Sequence, residues 1–177
     1  NGKGRLFSRD CPEYEVVLPG GKTLWMLVNH FKSQGYGAKA DNDKRRKAQA
    51  DKVRDYLGRF DLKNDLVAVA GDFNDSAENP PLHPLKHLLA TPHLRDVFTA
   101  PVFGAAPRWT YGSGKQQLDY LLVSKPLFDA ITDVGIERRG MFSKTNFGGL
   151  FPHFPAVTGE STLASDHAAV WAEFALA

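Results

Sequence analysis

Four short segments carry side chains able to do chemistry together: Asn29-His30, Asp72 and Asn74, Asp119, and Asp166-His167. Each sits at the end of a segment with strand character or in the loop beside one. Several carboxylates gathered at strand ends repel one another unless a cation or a histidinium sits among them. Such a set suits phosphate-ester hydrolysis. Carboxylates hold a hard divalent ion and orient water, the ion polarises the phosphoryl group, and imidazoles donate hydrogen bonds to the developing charge. Singly, each motif has a plainer reading: Asp72 and Asn74 as an Asx turn, His30 as a structural hydrogen-bonder. On Asp72 and Asn74 alone the turn and the site readings both stand.

The elements that must position these groups follow from the pattern around them. Residues 66–70, Leu-Val-Ala-Val-Ala, lack polar alternation and suit a strand covered on both faces. Gly71 then permits a sharp turn or a close backbone approach, and Asp72 and Asn74, two apart, share a face in extended chain. Residues 14–18 and 23–30 flank the turn sequence Pro19-Gly20-Gly21-Lys22 and predict an antiparallel hairpin ending at His30. Residues 38–60 predict a helix, with Ala50, Val53, Leu57 and Phe60 at helical spacing and Asp41 or Asn42 as N-cap. The opposite face mixes charges as a solvated helix does, but Lys44-Arg45-Arg46-Lys47 is a run of four cations able to steer a polyanion.

Further along, residues 82–89 read as a short helix. Residues 109–111 and 118–123 read as paired strands around Gly112-Ser113-Gly114, with Asp119 near the start of the second. Residues 128–137 give a helix end and a strand, 140–164 a long loop, and 168–174 a last strand. At 177 residues, 42% hydrophobic and 24% charged, the chain has an ordinary globular composition and one domain, 1–177, is expected. No apolar run spans a bilayer. The single Cys11 excludes an intrachain disulfide and is read as inert packing, and a formal charge of +2 does not by itself argue for nucleic acid.

Val28-Asn29-His30-Phe31-Lys32-Ser33, Gly71-Asp72-Phe73-Asn74, Leu118-Asp119-Tyr120-Leu121-Leu122 and Ser165-Asp166-His167-Ala168-Ala169-Val170 occur in that order. Together they resemble the endonuclease/exonuclease/phosphatase superfamily, which includes deoxyribonuclease I-like nucleases, sphingomyelinases and inositol polyphosphate phosphatases, and are closest to bacterial members. The resemblance spans residues 7–174. It implies an α/β fold, the C-terminal part of a four-layer α/β/β/α sandwich, and divalent-metal-dependent hydrolysis of a phosphoester. A phosphodiester leads, with nucleic acid among the implied substrates, and a phosphomonoester is the alternative. Mg²⁺ is the implied ion, with Mn²⁺ or Ca²⁺ in its place in some members.

Carried over residue by residue, the resemblance makes Asp72 the group that orients or deprotonates water, with Asp72 and Asp166 at the metal. Asn74 and Asn29 would bind the phosphate, Asp119 would orient His167, and His30 would contact phosphate or protonate the leaving oxygen. Trp109 and Tyr111 would form an aromatic wall. Members of the superfamily also supply an Asn and a metal-binding Glu from earlier strands, and Glu13 and Glu15 are not at that place. The expectation is therefore the C-terminal portion of a longer enzyme, with an apolar sheet face left open. A catalytically incomplete chain that self-associates or pairs with an N-terminal segment is the further alternative.

Overall fold

The computed structural model describes residues 5–77, 83–112, 116–142 and 151–176. β1 (Glu13–Val17) and β2 (Thr23–His30) form the expected hairpin, pairing antiparallel with Tyr14 opposite Met26. α1 (Lys39–Leu57) carries the chain back so that β3 (Leu66–Asp72) lies parallel to β2. After the short helix α2 (Lys86–Leu89) and β4 (Leu94–Asp96), β5 (Asp119–Ser124) pairs antiparallel with both β3 and β4. The first sheet is thus β1-β2-β3-β5-β4. A second sheet pairs β6 (Ile131–Glu137), reached through α3 (Lys125–Asp129), with β7 (Ala169–Phe174).

Two cores explain why β2 and β3 lack polar alternation. Leu27, Val67, Val69 and Leu122 face Ala50, Val53 and Leu57 of α1 and Leu88 of α2. Their neighbours Leu24, Met26, Leu66 and Ala68 face the opposite way, toward Val134, Ile136, Val170 and Phe174 of the second sheet. A strand between two apolar layers has no solvated face to mark with polar residues. The result is a helix layer and two packed sheets, the α/β architecture expected. Among the described residues the second sheet has two strands, and its cover of the first runs out toward β1. Tyr14 and Val16, which continue the face of Met26 and Leu24, are 54% and 36% exposed.

Three expectations need correction. The N-cap of α1 is Ala38, which contributes no side-chain hydrogen bond. Asn42 lies buried inside the helix, its Nδ2 donating to the carbonyls of Gln34 and Gly35, so its amide ties down the preceding loop instead. Residues 109–111 do not form a hairpin strand with β5. Thr110 N–H donates to Gln116 O, ahead of β5, while Tyr111 bridges His167 and Ala168 N–H donates to Thr110 O. The run 44–47 is not one cationic patch either, because Arg46 is 2% exposed, Arg45 donates to the carbonyls of Arg5 and Leu6, and Lys47 pairs with Asp51. Residue 82, residues 113–114 of the proposed turn and residues 143–150 of the long loop lie outside the described residues.

Candidate active site

Strand register builds the site. His30 and Asp72 end the parallel strands β2 and β3 as direct partners, and Asp119 begins the antiparallel β5 directly opposite Asp72. A slip of one residue would send these side chains to the other face. Gly71 allows the parallel strands to close. Its φ is +139°, and a Cβ there would stand 1.8 Å from the carbonyl oxygen of Asn29. His167 arrives from the far end of the chain on the segment before β7. It is placed by Thr110, whose buried hydroxyl accepts from Leu118 and Asp119 N–H while its carbonyl accepts from Ala168 N–H.

Around this frame the side chains close up. His167 Nδ1 lies 2.8 Å from Asp119 Oδ2, and the Tyr111 ring packs on the imidazole at 5.0 Å. Asn74, in the left-handed region at φ +53°, donates from its backbone to Asp72 Oδ1 at 2.8 Å and from Nδ2 to Asp72 Oδ2 at 2.9 Å. His30 Nε2 stands 3.5 Å from Asp72 Oδ2, and Arg9 Nη1 donates to His30 Nδ1 at 2.5 Å. Asp72, Asp119 and His167 each offer one ligand atom within 4.8 Å of the others, which makes them the group able to hold a metal ion among the described residues.

The electrostatics follow from burial and proximity. Burial pushes the Asp72 carboxyl up to about 6; the Asn74 N–H opposes this and the charge of Asp119 adds to it. The Asp119 hydrogen bond holds His167 above the ordinary histidine value, so this imidazole is charged more readily than a free one. His30 goes the other way, lowered by burial and then by the Arg9 guanidinium. A cation beside Asp72 and Asp119 would relieve both the burial cost and their mutual repulsion. The oxygen donors fit a hard divalent ion.

Six of the expected residues therefore meet at one place: Asp72, Asn74, Asp119, His167, His30 and Tyr111. Three do not join them. Asn29 is buried on the helix-facing side of β2, beside Leu27, whose carbonyl its Nδ2 bonds; its Oδ1 has no partner. Alternation along the strand sends it away from His30. Asp166 is exposed and outside the converging ligand group, and its backbone carbonyl takes the Gly112 N–H. Trp109 lies under the Arg138 guanidinium at 4.1 Å and beside Phe151. Asn74 itself has both amide hydrogens engaged, one on Asp72 and one on the Phe31 carbonyl, so it orients Asp72 more than it faces a ligand.

The structure also adds groups that sequence reasoning passed over. Arg9 precedes β1 without any motif around it. Arg46, hidden in the charge run, donates to Asp75 Oδ2 at 3.1 Å and to the Lys32 carbonyl, and pairs with Asp43. With Gln49, whose Oε1 accepts from Lys32 N–H at 2.8 Å, it clamps the loops after β2 and β3 to α1. The available signal was a helical one. Arg46, Gln49, Ala50 and Val53 are spaced as a single face, which places the arginine on the buried side.

Solved structures with this fold include an AP endonuclease from Archaeoglobus fulgidus, at TM-score 0.63 and 14% identity over 93% of this chain and 65% of that one. A Neisseria 3′ phosphatase bound to a product DNA hairpin aligns at TM-score 0.56 and 17% identity, with the same coverage of each. Truncated TDP2 from Caenorhabditis elegans aligns at TM-score 0.53 and 21% identity over 89% of this chain and 56% of that one. The chain thus spans less than two thirds of the length of these structures. A search of curated proteins found no match. The Endonuclease/Exonuclease/phosphatase family profile matches residues 1–167, and the chain belongs to that family.

Proposed function

We propose that this chain carries the site of a divalent-metal-dependent phosphoester hydrolase acting by preference on a phosphodiester, as a nuclease does. The observation that supports this most is the convergence of Asp72, Asp119 and His167 within 4.8 Å, beside His30 and Asn74. In this reading Asp72, oriented by Asn74, takes the proton of the attacking water or aligns it. His167, held by Asp119 and readily charged, donates to a phosphate oxygen as negative charge builds there. Burial, and after it the Arg9 guanidinium, lower the His30 value, and with Nδ1 facing the Arg9 donor its Nε2 is the atom left to donate, which favours a phosphate contact. Asp72 would hold Mg²⁺, Mn²⁺ or Ca²⁺ with Asp119 nearby. When bound, the ion supplies Lewis-acid polarisation of the phosphoryl group.

A nucleic-acid substrate is favoured because the Neisseria neighbour holds DNA and the Archaeoglobus neighbour is an AP endonuclease. The exposed Tyr14 and Val16 favour a second reading for the isolated chain, in which this face must be covered before turnover is efficient. Hydrolysis of bis-p-nitrophenyl phosphate and p-nitrophenyl phosphate with Mg²⁺, Mn²⁺, Ca²⁺ or EDTA tests both. Diester cleavage that EDTA abolishes and that Asp72→Asn and His167→Ala each reduce by about a thousandfold or more is the expected result. Near-normal turnover in either variant would remove these residues from the mechanism.

A further inference from the structure

On the helix-facing side of the first sheet, next to the catalytic loop, lies a cleft of about 280 Å³ whose chemistry the hydrolytic reading leaves unused. It is built from the same two segments as the site. Ser76 and Ala77 follow Asn74, and Gln117 and Tyr120 flank Asp119. Tyr120 fastens the segments together: its hydroxyl donates to the Asp75 carbonyl at 3.2 Å and accepts from Ala77 N–H at 3.1 Å. Leu89, Leu94 and Tyr120 supply apolar lining.

Into this lining comes the carboxylate of Asp96. Its Oδ1 accepts from Phe98 N–H at 3.1 Å and its Oδ2 from Gln117 Nε2 at 2.7 Å. Each carboxylate oxygen has a second acceptor site, and Asp96 lines the cleft. Arg108 and Arg95, both exposed, also line the cleft, the Arg95 guanidinium lying over the Phe128 ring at 5.2 Å. The complement is a flat ring with apolar faces, two adjacent N–H donors on one edge, and a phosphate nearby. Among the four common bases, guanine alone presents two adjacent donors, its ring N1–H and its exocyclic amine. Adenine and cytosine set an acceptor beside their amine, and uracil or thymine flanks one N–H with two carbonyls. Either arrangement turns a lone pair toward the carboxylate.

We propose that this cleft receives a guanine base of a nucleic-acid strand, with Asp96 accepting from the two ring-edge donors and Arg95 and Arg108 meeting the strand's phosphates. Pairing would occupy the same ring-edge donors, which selects an unpaired base. The proposal rests on the phosphoester reading for its expectation of a strand. Binding is measured in EDTA, so a failure of turnover leaves the binding result intact.

Titration of the full chain with GMP, AMP and inorganic phosphate, followed by calorimetry and by amide chemical shifts, tests it. GMP is expected to bind at least about tenfold more tightly than AMP or phosphate, with shifts centred on Ser76, Ala77 and Gln117. Asp96→Asn, which keeps the Phe98 hydrogen bond, is expected to erase the preference. Arg108→Ala is expected to weaken GMP and AMP alike. An oligonucleotide with a single guanine is expected to bind more tightly than GMP, because both arginines then meet phosphate. Equal affinity for GMP and AMP, a preference that survives Asp96→Asn, or GMP shifts centred elsewhere in the wild-type chain would each overturn the assignment. GMP binding as tightly as the oligonucleotide would overturn the strand.

Discussion

The two ends of usefulness in β2 lie a few residues apart and are built on opposite terms. At its C-terminal end His30 enters a closed polar lattice, in which Arg46, Gln49, Asn42 and Asn74 spend their donors on the carbonyls and carboxylates of neighbouring loops. Along its middle, Leu24 and Met26 share a face with Tyr14 and Val16 of β1 that is apolar and only partly covered. The polar region is held by specific partners, so each loss there leaves something unsatisfied. The apolar region is held by area alone, so a loss there removes a contact that solvent already interrupts.

This difference predicts unequal costs for substitutions in the two regions. Gly71→Ala has the largest stability cost, because a Cβ 1.8 Å from the Asn29 carbonyl must push apart the two parallel strands that bring His30 and Asp72 together. The cost is on the order of 3 kcal/mol or more, read by chemical denaturation, and a loss below about 1 kcal/mol would mean that the strands give way easily. Arg46→Met comes next. It takes the guanidinium from Asp75, which is 3% exposed and keeps the Ser76 N–H, and breaking a buried ion pair by removing one partner costs roughly 3–5 kcal/mol. Denaturation midpoints test it, and Asp75→Asn in the same background should recover part of the loss if the stranded charge is the cause.

Titration sharpens the comparison on the polar side alone. Asp72 has a folded value of about 6 against an ordinary 3.8, so the folded state favours its protonated form and stability falls as pH rises from about 4 through 6. The His167 value is raised, so the Asp119 pair contributes fully below the ordinary histidine value of 6.5 and is lost as pH rises beyond the folded one. Hydrolysis should therefore rise through about pH 6 as Asp72 ionises and fall once His167 loses its proton. A bound divalent ion should move the rising limb to lower pH. A rising limb unmoved by the ion would separate Asp72 from the metal.

The smallest effect belongs to the open face. Tyr14→Ser with Val16→Ser should change stability by about 1 kcal/mol or less and should lower any self-association seen by sedimentation velocity. Unchanged association in that double variant would place the contact elsewhere.

How far the sequence reached follows the same division. The hairpin, the strands ending at His30 and Asp72, and the start of β5 at Asp119 were legible because each ends an apolar run at a polar residue. The meeting of Asp119 with His167 was legible only through the ordered motifs, since no local pattern joins residues 48 apart. Arg9 was hidden for a physical reason, since a site-facing arginine has the same letter as a solvated one and no pattern surrounds it, whereas Arg46 was marked only by its spacing with Gln49, Ala50 and Val53. Asn29 misled because it sits next to His30 in the chain, where strand alternation turns it to the other side.

The separation between Asp119 and His167 has one more consequence, in the order of events along the folding pathway. The helix-side core draws its fully buried residues from 27–122, whereas the Asp119–His167 pair waits for the segment before β7 to dock. Helical signal should therefore return early in refolding and hydrolytic competence late. Until the segment that carries His167 has docked, Asp72 and Asp119 have no imidazole beside them and the site stays incomplete.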